Sequence, residues 1–151
     1  MEKYDSSMDT VNHINTVRRF MATVQDKLVH RMIAHDYSKL CTPEKEIFDE
    51  FTPKLANSTY GSDEYKGFLN SMKVGLDNHY KMNSHHPEHF ENGIKGMSLL
   101  DIIEMLVDWK SATLRHKDGD IYKSIELNQK RFGYTDEMKQ IFLNTAKELS
   151  F

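Results

Sequence analysis

The sequence is poor in the residues that staple, break or localise small proteins. Cys41 is the only cysteine, so no internal disulfide can form and thiolate-rich zinc sites are excluded. No activating base is evident beside it, and it is assigned no nucleophilic role. The three prolines and seven glycines form no cluster, nothing repeats at a fixed period and no segment is low in complexity. One domain over residues 1–151 is therefore expected. Basic runs are missing as well: 20 Lys and Arg stand against 23 Asp and Glu, for a net charge of -3. That balance excludes long nucleic acid as the main ligand and leaves room for a small anion. The longest apolar stretch, MSLLDIIEMLVDW, is interrupted by Asp101, Glu104 and Asp108 and is too short to cross a bilayer. The charged start MEKYDSS lacks the apolar core of a secretory signal, so a cytoplasmic protein with no membrane partner is the expectation.

What the chain does have is helical periodicity. Val11, Ile14, Val17, Phe20, Met21 and Val24 recur at helical spacing and Leu28, Met32 and Ile33 continue the pattern, so two helices or one bent helix should carry residues 8–40. Thr42 as N-cap, Pro43 at the first helical position and the acids Glu44 and Glu46 predict a helix over 44–56. NSTYGS at 57–62 reads as a turn, with Ser62 capping a helix through Phe68, Leu69, Met72 and Leu76 to His79 and Tyr80. NSHHPEHFENGIKG is polar and broken by proline and glycine, which makes it a loop with one short helical turn. Ser98 and Asp101 have the spacing of a capping box, and the apolar helix they open is expected at the centre of the fold. KDGD at 117–120 is a turn. Beyond it a helix should stop at Gly133, and a last one should start from Thr135. No segment alternates with strand period beside a hairpin turn, so the fold class is all-α, a single-domain bundle of six to seven helices.

The adjacent pair His35 and Asp36 carries the most chemical information. Imidazole nitrogen and carboxylate oxygen suit divalent Zn, Fe, Mn or Ni. Neighbours on a helix point about 100° apart, so both reach one ion only over their shared edge, with further ligands from other helices. The candidates are His13 on the first helix, His79 at the end of its helix, His85 and His86 in the loop, and Asp108 in the apolar helix. An acid among Ile103, Leu106, Val107 and Trp109 must be paired, protonated or metal-bound, because burying a bare charge is costly. Asp101 already has a role in the capping box, and Glu104, on the same helical face as Asp101 and Asp108, is a candidate partner for a ligand. His89 is read as a bystander, His30 as structural on another face, and Ser124, Asn128 and Arg131 as a polar face turned to water.

Taken in order, H, HD, H, HH, D resembles the HD-domain phosphohydrolase superfamily over roughly residues 10 to 112. HDYSKL looks like the HD-x-x-K-L form of the branch named for its HD and GYP motifs. HHPEHF followed by DIIEMLVDW is similar to that branch's HHE segment and downstream Asp. As a whole the chain is also similar to a small phage and bacterial group of HD-like proteins with HD, HY, HHPEH and DW segments.

The resemblance implies an HD-domain-like bundle that hydrolyses a phosphoester with water activated by one or two divalent ions, Mn, Fe, Co, Ni or Zn. It implies one ion on His13, His35, Asp36 and Asp108, and a second on His79, His85 and His86 with Asp36 bridging. Asp36, Lys39 and Glu88 are the catalytic candidates. Lys39, four residues after His35, is placed to meet a phosphate, and Arg115, His116 and Lys117 to close the same pocket. Glu88 would orient a ligand histidine or accept a proton. The expected substrate is a small nucleotide, a phosphomonoester or triphosphate of a deoxynucleotide. GYP is missing after HHPEH, which ranks a cyclic or linear dinucleotide phosphodiesterase second; a non-catalytic module binding metal or nucleotide is the rival from another class. HD-like proteins often pair, and Tyr122, Phe132 and Tyr134, expected at the surface, are the aromatics available to a homodimer.

Overall fold

The computed structural model describes residues 4–58, 62–115 and 119–151. Among them are seven α-helices, three short 3-10 turns and no strand. The turns expected at 57–62 and 117–120 fall partly on residues 59–61 and 117–118, outside the described residues.

The helices group into two compact units that meet in sequence at the His35–Asp36 junction. The first holds α1, Ser7–Ala34, a single helix that contains no buried residue. It does not continue to residue 40. At His35 the backbone turns extended (φ -50, ψ 123), Asp36 adopts the left-handed conformation (φ 56, ψ 12), and a 3-10 turn, Tyr37–Leu40, follows. Aspartate is among the few residues that tolerate positive φ, so the HD pair marks a helix break and is not a helix face.

The second unit begins with α2, Glu44–Asn57. Pro43, not Thr42, stands at its N-cap position, no side chain caps the helix, and the Thr42 hydroxyl donates to Glu46 instead (2.6 Å). The single helix expected from 63 to 80 is two, α3 (Asp63–Ser71) and α4 (Lys73–Met82). They part at Met72, a single turn residue (φ -80, ψ -2) that is buried. Ser62 caps α3 as expected, accepting from the Tyr65 N–H. Short 3-10 turns, Pro87–His89 and Gly93–Gly96, punctuate the histidine loop.

The three last helices build the core. In α5, Leu99–Thr113, the Ser98 and Asp101 capping box is complete. Helix α6, Ile121–Phe132, ends at Gly133 in the left-handed conformation (φ 64, ψ 30), and α7, Asp136–Glu148, starts from the Thr135 hydroxyl. Met105 and Leu106 of α5 pack with Ile121 and Ile125 of α6 and with Phe142 and Ala146 of α7, each large apolar side chain contributing about 1.5–3 kcal/mol by leaving water. Trp109 stacks on Phe132 (6.1 Å, 2°) and meets the edge of Phe142 (5.6 Å). Tyr134 is buried, its hydroxyl donating to the Ile125 carbonyl. The aromatic cluster expected at the surface is thus mostly core: Tyr134 and Phe132 are spent on packing, and Tyr122 alone of the three is exposed. No helix of the described residues is long and apolar enough to cross a membrane.

Candidate metal centre

The second unit brings three imidazoles to one carboxylate. Helix α4 delivers His79 in its last turn, the chain turns at Asn83, and His85 and His86 follow before Pro87 starts its 3-10 turn. The Asp36 carboxylate supplies the shared point. Its Oδ1 lies 3.3 Å from His79 Nε2 and 3.4 Å from His85 Nε2, and His86 Nε2 lies 2.9 Å from His79 Nε2. Asp36, His79, His85 and His86 each offer one ligand atom within 4.8 Å of the others. Ligands held about 2.0–2.2 Å from one ion stand about 3.0–3.5 Å apart, so the observed spacings fit a single first-row cation.

The outer ends of two rings fix which nitrogen faces inward. His79 Nδ1 is 2.9 Å from Glu44 Oε2, and His85 Nδ1 is 3.1 Å from Glu104 Oε1. A carboxylate only accepts, and these Nδ1 contacts are shorter than the 3.3 and 3.4 Å approaches of Nε2 to Asp36 Oδ1, so in the neutral rings Nδ1 carries the proton and Nε2 presents a lone pair. His79 and His85 are both 2 % exposed and Glu44 is 0 % exposed, so the His79–Glu44 contact lies away from water. Burial, and then the Lys39 charge, lowers the His79 pKa. Burial, and then the neighbouring His85 and His79, pushes His86 down to about 3, against the upward pull of Asp108 and Asp36. His79 and His86 are therefore neutral near neutral pH, the form that binds metal. Among the described residues, the carboxylates Asp36, Glu44, Glu104 and Asp108 and the Lys39 ammonium act on these rings. That imbalance suits a dication.

The sequence candidates divide accordingly. Asp36, His79, His85 and His86 converge. Asp108, half-buried on α5, is near enough to act on His86 electrostatically. His35 is the C-cap of α1 and the last residue of the first unit. His13 belongs to the same continuous helix, 22 positions earlier, which at about 1.5 Å per residue is about 33 Å along the axis. His13 and His35 of one chain therefore cannot share an ion, which corrects the four-ligand set expected from the resemblance. Lys39 donates to Asp36 Oδ2 (2.6 Å), leaving Oδ1 to the imidazoles; it follows in a 3-10 turn and not on a continuing α-helix. Glu88 does not orient a histidine: its Oε1 accepts from Arg131 Nη2 at 2.7 Å, so Arg131 of the supposed water-facing stripe is an ion-pair partner. Glu88 also lines a shallow hollow of about 460 Å³ with Asp77, Tyr80, Lys81 and His89, and the Tyr80 ring stands 5.1 Å from that of His86. Arg115 is exposed in the turn after α5. His116 and Lys117 lie outside the described residues.

Asp101 is structural. Its Oδ2 closes the capping box with Ser98, and its Oδ1 accepts from Ser84 Oγ (2.6 Å), tying α5 to the residue before His85. Glu44 escapes sequence reasoning, because an acid in the first turn of a helix is already explained by the helix dipole.

Fold and site together define an all-α protein with a candidate metal centre of three imidazoles and one carboxylate. The chain belongs to a family of unknown function (DUF5662), whose model matches residues 2–150. No curated protein and no solved structure matches it.

Proposed function

We propose that the protein is a metal-dependent phosphohydrolase acting on a small nucleotide, a phosphomonoester or triphosphate of a deoxynucleotide. The observation that carries the metal half is the convergence of His79 and His85 on Asp36 Oδ1, with His86 Nε2 beside His79 Nε2 and all four ligand atoms within 4.8 Å of one another. Mn, Fe, Co, Ni or Zn would suit these donors. A divalent ion there would lower the pKa of a water and offset charge on phosphoryl oxygens. The phosphoester half rests on the H, HD, H, HH, D order, and His35 enters the reading on that motif alone. The hollow beside Tyr80 offers space for a compact substrate.

The second reading is a non-catalytic module that binds metal or nucleotide. One observation favours it: Lys39 and Glu88, two expected catalytic side chains, are engaged by Asp36 and Arg131.

The test loads full-length protein in turn with Mn2+, Fe2+, Co2+, Ni2+ and Zn2+ and measures phosphate release from deoxynucleoside mono- and triphosphates, with linear and cyclic dinucleotides alongside. Turnover that disappears in Asp36→Ala, while the variant still folds, is the expected result. Bound metal without turnover on any substrate would sink the hydrolase and leave the binding module.

A further inference from the structure

We propose that Glu44 and Glu104 are matched positioning carboxylates, one behind each of two histidines, that hold His79 and His85 with Nε2 turned toward a single cation. The inference rests on the metal reading above and adds the two side chains that would make the site selective for one ring orientation.

The two acids come from different helices and do the same thing. Glu44 stands at the first position of α2, with both oxygens occupied: Oε1 accepts from Asn78 Nδ2 (2.8 Å), and Oε2 from Ser38 Oγ (3.0 Å) and His79 Nδ1 (2.9 Å). Glu104 projects from α5 one turn after Asp101, the residue that anchors Ser84, so α5 holds both the backbone approach to His85 and its ring. Both rings then aim Nε2 at the same Asp36 oxygen, at 3.3 and 3.4 Å.

A competing donor for His79 Nδ1 can be accounted for. Asn83 Nδ2 lies 3.0 Å from it, which would suit an unprotonated Nδ1. The two Asn83 protons have better acceptors in Ser38 Oγ and the His79 carbonyl, both at 2.8 Å. The Glu44 carboxylate at 2.9 Å would meanwhile repel a bare lone pair. The proton belongs on Nδ1, and Nε2 is left to ligate. Acids in this place fix the tautomer and raise ligand basicity, and their loss typically weakens metal binding by about 10–100-fold.

The experiment measures Zn2+ affinity of the full-length chain by competition with a chromophoric chelator. It is run on the wild type and on Glu44→Ala, Glu44→Gln, Glu104→Ala and Glu104→Gln. Co2+ absorption spectra, and histidine side-chain nitrogen shifts of the metal-free protein, are read in parallel. The alanine variants should bind about 10–100-fold more weakly. The glutamine variants should recover part of the loss, because an amide oxygen still accepts the Nδ1 proton. The wild-type shifts should show Nδ1–H at His79 and His85. Protons on Nε2 in the wild type, or alanine variants that hold Zn2+ as tightly as the wild type, overturn the proposal while leaving the metal site standing. A wild type that takes up neither Zn2+ nor Co2+ removes the metal reading and this one together. Should Glu44→Ala fail to fold, the Glu104 pair decides, since that side chain reaches the surface (13 % exposed).

Discussion

Acidifying the metal-free protein tests whether the imidazole cluster is built to stay neutral. His86 titrates at about 3 in the folded chain against 6.5 for an ordinary histidine, because burial and two neighbouring rings oppose its charge. The unfolded chain takes up this proton first as pH falls, so folding stability drops as pH falls below 6.5 and goes on dropping until the folded ring itself titrates. Between about pH 7 and about pH 5 the linkage relation gives a loss of about 2 kcal/mol from His86 alone, reaching about 4 kcal/mol by about pH 3. His79, also lowered, adds in the same direction. The assay is urea denaturation of chelator-treated wild type and His86→Gln across this range. Glutamine keeps the ring's polarity and does not titrate, so the wild type should lose about 2 kcal/mol more than the variant between the two pH values. Parallel curves would refute the reasoning, since they would mean that His86 titrates as it does in an unfolded chain.

Two further outcomes follow from local geometry. Gly133→Ala should cost about 1 kcal/mol in urea denaturation, because residue 133 ends α6 at φ 64 with nothing within 4 Å of an added methyl, so the loss is backbone strain and not a clash. Asp101→Ala removes the bonds from Ser98 and Ser84 and should cost about 2 kcal/mol. It should also weaken Zn2+ uptake, whereas Gly133→Ala should leave Zn2+ uptake unchanged.

The parts of this molecule that could be read from the sequence are those whose cause lies within a few residues. The Ser98 and Asp101 capping box, the Gly133 stop and the Thr135 cap are each decided by side chains reaching their own backbone, and each stands where it was expected. The breaks at His35 and Met72 were not legible: no proline or glycine marks either, and the apolar period runs through both. The site follows the same division. Types and order of the histidines mark the candidates, but the partners that hold Lys39 and Glu88, Asp36 and Arg131, are brought to them by the fold and leave no trace in the spacing. The spacing of His13 and His35 likewise does not say that one continuous helix separates them.

Glu44 shows why a centre's supporting acids are harder to find than its ligands. It lies 35 positions from His79, shares no period with it and already has an adequate reason to sit in the first turn of α2. Only its surroundings overrule that reason. An acid serving the helix dipole works best at the surface and is worth about 0.3–1 kcal/mol there, whereas Glu44 is 0 % exposed. Removing a carboxylate from water costs several kcal/mol. The dipole cannot offset that cost, and the hydrogen bonds from Ser38, Asn78 and His79 can do so only while His79 keeps its proton on Nδ1. The burial of Glu44 and the inward lone pair of His79 are therefore one structural fact, and a variant that disturbs either should disturb both.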